Sequence, residues 1–219
     1  MDLFTPLDQY CERTGVGFWN EPLNLLSNFG FIISGLIILR ILKSSHYKQK
    51  PVGSSFLGIL MIVIGLGSAL FHSFANVWSM WADIIPISIF VVSYLFLFLR
   101  YTAGASLPKT IVLLCSFGAL SALIAVISDH QMANGGEAYF GVWVALFGIS
   151  CFYAGRRQPL NQWRISFAAV AFSISLFMRT VDLKYCEAWP TGTHVFWHLL
   201  NSFVIFMLTS AYISERARS

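Results

Sequence analysis

Three histidines and an aspartate interrupt stretches otherwise apolar enough to lie within a membrane: His72, Asp83, and the pair His194 and His198. A charged side chain at that depth costs about 2.5–3.5 kcal/mol on insertion scales, so ionisable groups there mark a site with a partner or a metal. Residues four apart share a helix face, so His194 and His198 point the same way, and Ser68 lies on the face of His72. Two imidazoles from one helix and one from another offer three nitrogens, which zinc takes at about 2.0–2.1 Å. Three protein ligands with a fourth position left for water is the arrangement of a catalytic zinc rather than a closed structural one. Such a zinc brings the pKa of water toward about 7 and polarises a carbonyl. Asp83 is then expected as the general base that accepts the water's proton. Ser68 is expected to donate a hydrogen bond to a developing oxyanion or to orient the water.

These residues need a scaffold, and composition supplies its class. Of 219 residues, 57% are apolar and 11% charged, too little polar surface for an ordinary soluble domain. A helix rising about 1.5 Å per residue needs about 20 residues to cross the hydrocarbon core. Apolar runs of that order fall at 23–42, 56–75, 81–99, 108–128, 138–155, 164–182 and 193–213. The expected fold is an all-α membrane protein, a seven-transmembrane helix bundle. Residues 1–22 are expected as an outer N-terminal segment, 23–213 as the transmembrane hydrolase domain and 214–219 as a cytoplasmic tail. The first segment lacks the basic start and apolar stretch of a cleavable signal peptide.

Charge placement orients the bundle. Arg40, Lys43, Lys48, Lys50, Arg100, Lys109, Arg156, Arg157, Arg164, Arg216 and Arg218 fall on one side, and only Arg13, Arg179 and Lys184 on the other. The positive-inside rule then puts the N-terminus outside and the C-terminus in the cytoplasm, as an odd number of spans requires. The net charge of +4 reflects that topology. The basic residues form no patch interleaved with aromatics, so no nucleic-acid partner is expected. His72 lies about 16 residues, roughly 24 Å, along the second span. Asp83 falls in the first turn or so of the third, and His194 and His198 in the first two turns of the seventh. All four share one depth near the outer boundary.

Other residues carry weaker expectations. The turns Pro51-Val52-Gly53, Asn134-Gly135-Gly136 and Pro190-Thr191-Gly192 separate predicted helices. Gly65 and Gly67 permit close helix packing. Trp19, Trp78, Trp81, Trp163, Trp189 and Trp197 fall at span ends, where indoles favour the interface; Trp197 could equally line an acyl channel. Cys115 and Cys151 are expected as small core hydrophobes, and His46 and His130 as solvated loop residues. Asp182 is expected either to orient a histidine or to pair with Arg179 at a helix end.

The segments Tyr10-Cys11-Glu12, Phe18-Trp19-Asn20 and Leu26-Ser27-Asn28 precede Gly65-Leu66-Gly67-Ser68-Ala69-Leu70-Phe71-His72 with Asp83 eleven residues on, and then Arg179, Asp182, Cys186 and His194-Val195-Phe196-Trp197-His198. In these residues the sequence resembles the alkaline ceramidase family, within the wider superfamily of seven-span hydrolases that includes adiponectin-receptor-like proteins. The likeness runs from about residue 8 to about 205. The resemblance implies a zinc-dependent intramembrane amidase that splits the N-acyl bond of ceramide, or of a related N-acyl lipid, into a fatty acid and an amine such as a sphingoid base. It implies His72, His194 and His198 as the zinc ligands and Ser68 with Asp83 as the catalytic pair.

The family pattern also implies a calcium site before the first span, where this sequence departs from it. With Cys11 as anchor, the leading aspartate falls at Gln9, one glutamate at Glu12, and the glutamate before Phe-Trp at Gly17. Calcium takes six to eight oxygen ligands; near Glu12, only Asp8, Asn20 and Glu21 could substitute after a shift. Cys11 and Cys186 both fall on the predicted outer side, where they could pair or remain free thiols; the resemblance implies the disulfide. The alternative is a seven-helix receptor or sensor whose zinc is structural or regulatory. A proton transporter fits less well, because the ionisable groups cluster at one depth and trace no path across.

Overall fold

A computed structural model of the chain describes residues 2–44, 50–128, 134–156 and 159–217. Expectations for His46, His130, Lys48, Arg157 and Arg218 lie outside the described residues. Among those described there is no strand, only an isolated bridge between Pro6 and Asn76. Seven helices are long and apolar enough to cross a membrane: α1 (Pro22–Ser44), α2 (Ser54–Phe74), α3 (Val77–Thr102), α4 (Leu107–Ile127), α5 (Glu137–Gly155), α6 (Leu160–Tyr185) and α7 (His194–Arg216).

The seven match the predicted spans in number and order, and two boundaries differ for physical reasons. Helix α3 begins at Val77 instead of 81 because Asn76 caps it. The Asn76 side chain accepts the Ser79 N–H at 3.2 Å, and Ser79 Oγ accepts the Asn76 N–H at 3.1 Å, a reciprocal capping box. Asp83 therefore lies in the second turn, not the first. Helix α6 begins four residues earlier than predicted, taking in Asn161 ahead of Arg164. The polar ends of both are satisfied across the interface with α7: Asn161 Nδ2 donates to Glu215 at 3.0 Å and Arg164 to Ser214 Oγ at 2.8 Å.

Successive helices pack side by side and α7 returns against α1, closing a ring. Many large apolar side chains, among them Ile33, Leu36, Val63 and Phe167, point outward, as a lipid-facing surface requires. Helix α4 is the least embedded, with only Thr110 buried. This corrects the expectation for Cys115 and Cys151, which are both free and exposed. In a membrane the outward face is as apolar as the core, so hydrophobicity alone does not tell one from the other.

Helices α2 and α3 meet closely next to the chemistry-bearing residues. A Cβ on Gly67 would strike the Ala82 carbonyl, and one on Gly65 would lie 2.9 Å from the Asn28 carbonyl of α1. Pro86 inside α3 has no N–H to bond the carbonyl four residues back, which is that of Ala82. Gly67 against Ala82 thus holds Ser68 and Asp83, the next residue on each strand of contact, beside one another.

The N-terminal segment folds over the same end of the bundle. Leu7 N–H donates to the Ala75 carbonyl at 2.8 Å and Trp78 N–H to that of Leu3 at 3.0 Å. A disulfide joins Cys11 to Cys186 with a Cα separation of 5.2 Å, as the resemblance implied. Gly192 takes a left-handed φ of 66°, and a Cβ there would meet both the Asp182 carboxylate and Cys11. Gly67→Ala is expected to force α2 from α3 and destabilise the protein by about 1–3 kcal/mol. A thermal midpoint in detergent equal to that of the unsubstituted protein would contradict this packing account.

Candidate metal centre

Two elements place the three histidines. His72 sits in the last turn of α2, and His194 and His198 open α7. The start of α7 is held by Asp182, whose carboxylate accepts from the N–H groups of Thr193 at 2.6 Å, His194 at 2.9 Å and Cys11 at 3.0 Å. Asp182 therefore caps a helix and ties it to the disulfide-linked segment. It places His194 through the backbone rather than through the ring. It does not serve Arg179, which donates to the Asn134 carbonyl and lies 5.1, 5.6 and 5.8 Å from the ring centres of Trp197, Tyr10 and Tyr139.

The three imidazoles are about 1–2% exposed, and one nitrogen from each can be chosen so that all lie within 4.8 Å of one another. Their hydrogen bonds assign the tautomers. His72 Nδ1 meets Glu21 Oε2 at 2.5 Å. Burial pushes the Glu21 carboxyl up, but His72 and Arg13 outweigh it and hold the group below its usual range. Glu21 is therefore an acceptor and His72 carries its proton on Nδ1. His198 Nδ1 meets Ser27 Oγ at 2.7 Å, and that hydroxyl already spends its hydrogen on the Asn24 carbonyl at 2.8 Å. Ser27 accepts as well, so His198 is also protonated on Nδ1.

The two Nε2 atoms face each other at 3.1 Å, and when both rings are neutral each presents a bare lone pair there. The third histidine, stacked on Tyr10 at 3.6 Å between ring centres, has a buried Nδ1 with no hydrogen-bond partner. Orphaned, converging nitrogens are what a divalent cation satisfies. For bonds of about 2.05 Å the edge of a tetrahedron is about 3.3 Å, close to the Nε2 separation.

Asp83 and Ser68 flank this cluster. Ser68 is buried beside the Asp83 carboxyl, whose Oδ1 has no hydrogen-bond partner. Asp83 also faces a cavity shared with Tyr10, Ser121, Tyr139 and Arg179. A second cavity, almost wholly apolar, runs deeper between Phe90, Leu146, Phe172, Trp197 and Leu208, and both are lined by Ile87, Val91, Tyr139 and Val142. Trp197 thus lines the inner cavity, and it is buried, so it is no interface anchor.

The expected calcium ligands are not assembled. Both oxygens of Glu12 accept the N–H groups of Leu23 and Asn24 at 2.7 and 2.8 Å, capping the start of α1. Asp8 is exposed, and Asn20 turns its amide to the Gly17 carbonyl. Glu21 is taken by Arg13 and His72. The residues that orient the histidines, Glu21 and Ser27, carry no metal-ligand signature of their own. Their signals are an acidic residue immediately before an apolar helix and a serine within the Leu26-Ser27-Asn28 motif of the resemblance.

A family model described as Ceramidase matches residues 9–218, nearly the whole chain. Comparison with curated proteins finds no match. Glu21→Ala removes the acceptor of His72 and is expected to weaken metal affinity by about 10–100-fold. Ser27→Ala should cost less, since the Asn24 carbonyl also serves His198. Competition against a chromogenic chelator measures both; undiminished affinity in Glu21→Ala would contradict the tautomer assignment.

Proposed function

The chain belongs to the ceramidase family, and from that membership we propose that it is a zinc-dependent intramembrane amidase. It hydrolyses the N-acyl bond of ceramide or a related N-acyl lipid to a free fatty acid and an amine such as a sphingoid base. The observation that carries the reading is the pair of bare, converging imidazole nitrogens with Asp83 and Ser68 alongside. His72, His194 and His198 would hold the zinc, which when bound supplies Lewis acidity toward a carbonyl and acidifies water.

The protein's own residues do the rest. Asp83 Oδ1, buried and unpartnered, accepts the proton of the attacking water and returns it to the departing amine nitrogen. The Ser68 hydroxyl donates to the oxygen on which negative charge develops. The inner apolar cavity suits a hydrocarbon chain. The outer one, with Arg179, Tyr10 and Ser121 among its walls, suits the hydroxylated part of the amine product. The scissile amide then lies where the two meet, in front of Asp83.

We place the histidine end of the bundle on the extracytoplasmic side. Two observations support this. The Cys11–Cys186 disulfide lies at that end, and disulfides persist in oxidising compartments. Arg40, Lys43, Arg100, Arg156 and Arg164 lie at the other, as the positive-inside rule asks of the cytoplasmic face.

Purified protein incubated with a panel of N-acyl lipids should release fatty acid, and chelation should abolish release. Asp83→Asn and Ser68→Ala should lose activity, by about 100-fold or more for the general base, while retaining metal; His198→Ala should lose both. Product insensitive to chelation contradicts the metal mechanism. No product from any lipid would favour a sensor with a structural or regulatory zinc. Ala145→Trp, at the wall of the inner cavity, should depress turnover of long-chain more than short-chain substrates; equal effects would contradict the assignment of that cavity.

A further inference from the structure

Arg13 is a buried cation that the chemistry above does not use. Its Nε pairs with Glu21 Oε1 at 2.5 Å, its Nη1 donates to the Gly15 carbonyl at 3.1 Å, and its Nη2 donates to the carbonyl of His72 at 2.9 Å. The side chains of Arg13 and Glu21 are 5% and 3% exposed. One guanidinium therefore grips the backbone of a metal-binding residue and the carboxylate that orients the same residue's ring. This planar fork is suited to making several such bonds at once.

The surroundings leave no room for a second cation with a comparable role. The carboxylates near Arg13 are Glu12 and Glu21, and all four of their oxygens already accept hydrogen bonds. The buried acceptors left over nearby, Asn24 Oδ1 and Asn28 Oδ1, are neutral. Calcium wants six to eight oxygens, with carboxylates among them, and would meet the guanidinium's charge at Glu21.

We propose that Arg13 is the built-in cation of this site. It is a positioning residue that holds Glu21 against His72 and makes the centre independent of calcium. The inference rests on the zinc reading given above. Without the guanidinium, Glu21 would be a buried carboxylate with no full positive charge beside it. It would relax toward water or recruit another cation, and His72 would lose its fixed orientation. The role depends on charge, not on filling space.

The test measures zinc affinity of the folded, full-length protein in detergent for the unsubstituted chain, R13K and R13Q, together with activity in calcium-free and calcium-containing buffer. The unsubstituted protein should bind zinc and show the same turnover, within twofold, in both buffers. R13Q, which keeps hydrogen-bonding reach but no charge, should lose about 10–100-fold in zinc affinity. R13K, which keeps the charge without the fork, should lie between the two. Equal zinc affinity in all three proteins overturns the proposal, as does stimulation of the unsubstituted protein by calcium. If R13Q does not fold, R13K and the calcium comparison still decide. An unsubstituted protein that binds no zinc sinks the functional reading and this inference together, whereas one that binds zinc as tightly as R13Q sinks this inference alone.

Discussion

Two imidazole lone pairs facing each other at 3.1 Å are the constraint around which this bundle is organised. A bare nitrogen buried without a donor costs free energy, and two aimed at one another repel as well. The protein imposes this arrangement twice over, using Glu21 on one ring and Ser27 on the other to keep both protons on the far nitrogens. With both rings neutral, the two nitrogens are acceptors that a cation sitting where they converge would satisfy, and a ring nitrogen of His194 without a partner fits the same purpose.

Several features of the fold serve that point. The capping of α7 by Asp182 fixes the axial position of His194 and His198 together, because both ride on one helix. Gly67 against Ala82 fixes the distance between α2 and α3, and hence between the ring of His72 and the carboxylate of Asp83. The N-terminal segment, tied by the disulfide and by Arg13, closes the site from above and stacks Tyr10 on His194. Two cavities lie between helices beside it, the inner one almost wholly apolar and the outer one carrying Asp83 and Arg179 on its walls.

The number of helices, their order, and the convergence of His72, His194 and His198 were legible in the sequence. Span length and i, i+4 spacing are direct consequences of helix geometry. That Ser68 and Asp83 lie beside His72 was legible too, through shared depth and helix face. A polar residue that finds its partner across an interface was misread: Asn161 looks like a loop residue until α7 is seen to satisfy it. Cys115 and Cys151 could not be assigned a face, since lipid and core reward the same side chains. Asp182 was expected at a ring or at Arg179, and instead serves three backbone N–H groups, a role that depends on tertiary placement. Glu21 was noticed only as a stand-in calcium ligand, because nothing in its spacing announces that it orients His72.

X-ray absorption at the metal edge of the purified protein, with metal content measured on the same sample, probes the central claim most directly. One zinc per chain, with three imidazole nitrogens at about 2.0–2.1 Å and one further light-atom neighbour that exchanges with solvent, is the expected result. A folded protein without metal, or a zinc closed off by a fourth side chain, would contradict the account.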